Sequence, residues 1–148
     1  MPNLYPVFDT PSLAGRQPAQ PKVGYGKAPA FDFERGDFIL DGAGRVSLLD
    51  GHRAWVQWCV KAILTERYSA LVYSPRYGVE FEQARRQPNR RAAEAAIERA
   101  ITEALLVDRR TKAVRDFSFA WNGDELSVSC TVVPTIGTDE RIEVSLSG

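Results

Sequence analysis

Between residues 90 and 146 the spacing of apolar side chains switches from a helical period to a period of two, which limits the possible folds more than any other feature. Over RRAAEAAIERAITEALL, the residues Ala93, Ala96, Ile97, Ala100, Ile101, Ala104 and Leu105 recur at the spacing of a single helix face. Most residues there are strong helix formers, and Asn89 stands where an N-cap is needed. Downstream, Phe117, Phe119 and Trp121 alternate with polar residues, as do Leu126, Val128, Cys130 and Val132, and then Ile142, Val144 and Leu146. Asn122-Gly123-Asp124 and residues 135–139 are turn sequences, and Pro134 ends the middle run. The pattern predicts a helix lying flat, through its small alanines, on a three-stranded antiparallel meander.

A second helix is predicted from Asp50, its expected N-cap, onward. Ala54, Trp55, Trp58, Cys59, Ala62 and Ile63 repeat at helical spacing, and Val56, Val60 and Leu64 widen the stripe. A helix apolar around so much of its circumference packs on two sides. FILDGAGRVSLLDG reads as a hairpin, and ALVYSP as a short strand or a loop broken by Pro75 and Gly78. The expected fold class is α+β: two helices on one face of a mainly antiparallel sheet. Ahead of this domain, residues 38–148, lies a Pro/Gly-rich segment, residues 1–37, which holds six of the nine prolines and predicts an extended arm. Its sparse apolar residues, chiefly Tyr5, Phe8, Tyr25 and Phe31, are candidate anchors on a partner or on the domain itself.

Nineteen basic and nineteen acidic residues give a net charge of zero, so charge lends no support to a nucleic-acid or anionic-membrane partner. No apolar run has the length of a membrane span, and MPNLYPVFDTP lacks the regions of a signal peptide. Cys59 and Cys130 are isolated and lie on apolar faces, which predicts core packing. His52 is the sole histidine, so a metal centre or a nucleophilic triad would need distant partners, and no metal or cofactor is expected. GYGKAP lacks the flanking strand and helix of a phosphate-binding loop.

The stretch GRVSLLDGHRAWVQWCVKAILTERYSALVYSPRYGVEF carries Gln57-Trp58 within the helix, the exit Thr65-Glu66-Arg67-Tyr68, and Tyr77-Gly78. In this order it resembles the small baseplate wedge proteins of contractile phage tails and defective-prophage particles, relatives of the sheath initiators of contractile injection systems. The resemblance extends over residues 38–148. It implies a structural component that joins the baseplate wedge to the sheath and starts sheath assembly by strand pairing. It also implies, as partners, larger wedge subunits, the tail sheath subunit, and hub or tube proteins. The protein would stay in the cytoplasm during assembly and then become part of the particle. Relatives carry Glu-Pro-Arg after the second helix, a motif implicated in wedge docking. Asp108, Arg109 and Arg110 occupy that place, with Arg109 departing from proline, while basic residues there also suit the negative end of the helix dipole. The last strand, with Arg141, Ile142, Glu143, Val144, Ser145 and Leu146, reads as an edge open to a sheath strand.

Some relatives carry a lysozyme label, which makes a peptidoglycan-cleaving enzyme the alternative. That chemistry needs two carboxylates across a cleft, one of them in an apolar setting. Glu66, Glu80 and Glu82 are the candidates, although Glu66 adjoins Arg67 and no sequence feature builds a cleft between them.

Overall fold

A computed structural model describes residues 24–147. In chain order the elements are β1 (Ala28–Pro29), β2 (Phe31–Asp32), β3 (Asp37–Phe38), β4 (Leu48–Leu49), α1 (Gly51–Leu64), α2 (Phe81–Arg85), α3 (Arg90–Leu106), β5 (Thr111–Asn122), β6 (Glu125–Pro134) and β7 (Glu140–Ser147). The three long strands form one antiparallel sheet in the order β5-β6-β7. One face of that sheet buries Leu126, Val128, Cys130 and Val132 of β6 with Ile142, Val144 and Leu146 of β7. On this face α1 packs against β7, α3 against β5, and the two helices touch each other. The architecture is therefore the expected α+β one, with both long helices on one face of the meander.

Alternation dictates this arrangement: each inward residue of β6 is flanked by an outward serine or threonine, so only one face is apolar enough to take helices. Trp55, Ile97, Ile101 and Leu105 fill the layer between, and each is fully buried. Side chains of that size stabilise by about 1.5–3 kcal/mol each when removed from water. The Trp55 indole meets its one polar need by donating to Thr111 Oγ1 at 3.0 Å.

Several local features differ from the sequence expectations. β5 begins at Thr111, well before the alternation at Phe117 announces a strand. Two register shifts, between Thr111 and Ala113 and between Arg115 and Ser118, each add a residue to β5, and Asp116 at the second has φ 56°. A bulge resets which face a residue meets, so the period of two cannot be read across it. α2 is a short additional helix. Asp50 occupies the N-cap position of α1 but its side chain makes no capping bond, whereas the Asn89 side chain accepts from Ala92 N at 2.8 Å. The four-residue spacing of Arg90 and Glu94 on α3 would suit an ion pair, but Trp121 donates to the Glu94 carboxylate at 2.9 Å and Arg90 stacks over the same indole.

The expected boundary at residue 37 falls within a paired region. β1 pairs with β4 and β2 with β3, and Ala30 N donates to Ser47 O while Ile39 N donates to Ala30 O. The Gln57 amide of α1 holds the strip at both ends, accepting from Phe31 N at 2.8 Å and donating to Pro29 O at 2.7 Å. The hairpin expected around Asp41 is present: Leu40 bridges Val46, and the Asp41 carboxylate accepts from Ala43 N and Arg45 N. Those backbone bonds, led by that from Arg45, hold the Asp41 carboxyl below the ordinary range.

Candidate assembly surfaces

Both outer strands of the main sheet are edges among the described residues, and they differ in kind. β5 is interrupted by two bulges and carries Lys112, Arg115 and Asp116, features that discourage a further strand. β7 runs in unbroken register with β6 from Glu125↔Ser147 to Val132↔Glu140. Ile142, Val144 and Leu146 point into the core, while Arg141, Glu143 and Ser145 are exposed. Arg141 donates across the outer face to Ser129 Oγ at 2.7 Å, and Ser145 Oγ lies 3.3 Å from Ser127 Oγ. Beside β7 opens a groove of about 730 Å³, walled by Phe31 and Phe33, by Val60 and Leu64 of α1, and by Glu143, Val144 and Ser145.

The turn between α3 and β5 holds residues 108–110. Arg110 Nε reaches both Asp108 carboxylate oxygens at 3.0 Å, and Asp108 also accepts from Arg110 N at 2.9 Å. Both side chains are mostly covered, and the Asp108 carboxylate raises the Arg110 pKa by holding its charged form. Arg110 lies over Trp58, 5.7 Å from the ring centre, while Thr135 bonds the carbonyls of Arg109 and Arg110 and so ties the turn to the end of β6. Arg109 points outward. The pair and the Thr135 bonds hold the turn together, and the Arg109 guanidinium is left exposed.

Of the arm anchors, Tyr5 and Phe8 lie outside the described residues. The Tyr25 hydroxyl donates to Ile136 O, and its ring meets Trp55 and His52 edge-on at 6.4 and 6.2 Å. Phe31 forms edge-to-face pairs with Phe33 and Phe38 at 5.2 and 5.3 Å. Both residues grip this chain's own domain.

His52 Nε2 lies 3.1 Å from Glu140 Oε1 and so fastens the start of α1 to the start of β7. Glu66 accepts from Phe81 N at 3.1 Å and thereby opens α2; Glu80 pairs with Arg67 at 3.2 Å; Glu82 pairs with Arg86 on the surface. Each candidate acid of the lysozyme alternative is bound into local structure, and the three are not brought together around one cleft: Glu66 and Glu82 line one small cavity, Glu80 another. Cys59 and Cys130 are buried, and burial pushes their thiols up to about 12 and about 11. No group of His, Cys, Asp and Glu able to hold a metal occurs among the described residues.

Sequence reasoning passed over Gln57 as the clamp on the N-terminal strip, although Gln57-Trp58 was among the residues carrying the resemblance. The segment ALVYSP, read as a short strand or a loop, is a loop, and the sequence did not show that Leu71 and Val72 in it stand almost wholly exposed. The available signal there was an aliphatic pair in a segment with no regular period.

Residues 27–137 match the family profile of contractile injection system sheath initiators. The chain belongs to that family. It is also 35% identical over 115 residues to the phage-like element PBSX protein XkdS of Bacillus subtilis (strain 168), an alignment spanning 76% of this chain and 77% of that protein. The matched span of the sheath-initiator family includes α1, the 65–79 loop, the turn at residues 108–110 and strands β5 and β6. Membership makes this sheath initiator a structural component of a contractile tail-type system that associates with other tail or baseplate parts.

Proposed function

We propose that this sheath initiator joins the baseplate wedge to the sheath and starts sheath assembly by accepting a strand of the first sheath subunit along β7. The observation that carries this reading is the contrast between the two sheet edges. A strand adding to β5 would meet bulges that break the ladder, whereas β7 offers eight residues in regular register, beside an open groove wide enough for side chains of an incoming strand. Main-chain hydrogen bonds would supply affinity, and Val60 and Leu64 would supply apolar contact at the groove.

The turn at residues 108–110 is the proposed wedge-docking site, with Arg109 as the contacting charge and the Asp108–Arg110 pair as its support. Hub or tube proteins are further candidate partners. Assembly would take place in the cytoplasm before the protein becomes part of a particle, and the function would be mechanical, with no catalytic step.

The test is Val144→Pro, which removes a backbone donor from the strand. Because Val144 faces the core, a companion variant, Glu143→Lys with Ser145→Lys, leaves the buried face intact and places two cations along the edge. Both are expected to give baseplates that fail to grow sheath when viewed by electron microscopy. Sheaths of normal length on baseplates carrying the lysine variant would refute strand pairing at β7.

A further inference from the structure

We propose that residues 68–73 form a preorganised apolar knob that seats Leu71 and Val72 in an apolar, carboxylate-rimmed socket on another protein of the same particle. The inference rests on the chain's place in such a particle but not on pairing at β7, because the knob is a separate surface.

Leu71 is 106% exposed and Val72 85%, and Tyr68 beside them is 69% exposed. Scattered exposed leucines are ordinary, but a contiguous aliphatic and aromatic tip marks an interaction site. The loop is not slack. Val79 N donates to Thr65 O at 2.9 Å and Arg67 N to Val79 O at 3.0 Å, while Arg67 Nε reaches Gly78 O at 3.1 Å, so the two ends are sewn together. Between them three successive turns close, Ser69 N to Glu66 O, Tyr73 N to Ala70 O and Tyr77 N to Ser74 O. Tyr73 lies 4.7 Å from Tyr77, and Tyr77 lies 6.0 Å from Trp58, the ring that Arg110 covers. A tip held this firmly loses little conformational freedom when it docks, which is what makes a small apolar knob effective.

Charge selects the partner. No acidic residue lies between Glu66 and Glu80, while Arg76 in the loop and Lys61, 5.3 Å over the Tyr73 ring, are exposed and form no ion pair among the described residues. A cationic collar around an apolar tip calls for an apolar hollow edged by carboxylates. A second copy meeting this surface across a two-fold axis would set like charges against each other. A lipid surface is the weaker fit, since one aliphatic pair and two cations fall far short of the apolar face that an interfacial anchor buries.

The experiment expresses the chain within its own gene cluster as parent, as Leu71→Asp with Val72→Asp, and as Leu71→Met with Val72→Ile. Gradient-purified particles are then assayed for chain content by quantitative immunoblot. Both side chains touch almost nothing within the chain, so the purified aspartate variant is expected to melt within about 2 °C of the parent. Its content per particle is expected to fall about tenfold or more, as loss of the contact of two buried aliphatic side chains requires, while the Met/Ile variant stays at the parental level. Benzoylphenylalanine at position 71 is expected to crosslink a different protein of the particle. Parental content of the aspartate variant would overturn the knob alone. Crosslinking to a second copy, or flotation of the purified parent with phosphatidylglycerol vesicles that the aspartates abolish, would overturn it in favour of self-association or a lipid surface. Absence of the parent from particles would overturn the proposed function and this inference together.

Discussion

Replacing Gly78 by alanine separates two costs that are usually merged. Gly78 has φ 94°, and a Cβ built there would lie 2.6 Å from Thr65 O, 3.1 Å from Arg67 N and 3.2 Å from Arg67 Cα. The backbone conformation alone costs an L residue about 1–2 kcal/mol. The contacts are with backbone, so relief requires moving Thr65 O, which accepts the 2.9 Å bond from Val79 N that closes the loop. Crowding of this kind adds about 1–3 kcal/mol, including weakening of that bond. The sum, about 2–5 kcal/mol, is a large part of the stability of an ordinary domain, about 5–15 kcal/mol. For a chain of this size it corresponds to a fall in melting temperature of about 6–15 °C. Gly44→Ala is the control: its φ is 75° and nothing lies within 4 Å of the added carbon, so only the conformational cost applies. That variant is expected to lose about 3–6 °C. Urea titration and thermal melts of both variants against the parent would measure the difference. Equal losses in the two would refute the steric argument and with it the view that Gly78 locks the base of the knob.

Two further outcomes follow from the packing. Deleting residues 1–37 removes Tyr25, the buried Ala30 and both partners of the Gln57 amide, whereas deleting residues 1–23 leaves all of them. The longer deletion is expected to melt about 10 °C below the shorter, from about 3 kcal/mol of lost burial and hydrogen bonding, and equal melting points would show that the N-terminal strip does not support the domain. Cys59 and Cys130, with thiols pushed to about 12 and about 11 by burial, are expected to resist a thiol reagent at pH 8 until denaturant unfolds the protein. Fast labelling of the native protein would contradict their burial.

Elements governed by a single local rule were legible in the sequence. The α3 stripe, its Asn89 cap, the turn at residues 122–124 and the alternation of β6 and β7 each depend on neighbours within a few positions, and each stands as read. Legibility failed where a distant partner decides the outcome. Glu94 is engaged by Trp121 from β5 rather than by Arg90, and Asp50 holds a cap position without making the cap bond. Glu66 and Glu80 look like candidate acids until the chain folds back, and Phe81 N and Arg67 take up their oxygens.

The candidate surfaces divide along the same line. Resemblance within residues 50–81 and the alternating last strand were enough to indicate a sheath initiator with a strand edge, because both signals are periodic or contiguous. Only the tertiary structure distinguished the two edges, since a bulge is a mismatch between strands and has no meaning in one strand alone. It alone set Arg110, paired with Asp108, over the Trp58 ring, by bringing the end of α3 against α1. By itself the amino-acid sequence determined the inward faces of α3, β6 and β7, where every apolar residue at the repeat spacing is buried or half-buried. Which apolar residues stay in water, as Leu71 and Val72 do, was decided by chain closure: sewing residues 65–67 to 78–79 while Tyr77 packs inward against Trp58 leaves the tip of the loop beyond reach of the core.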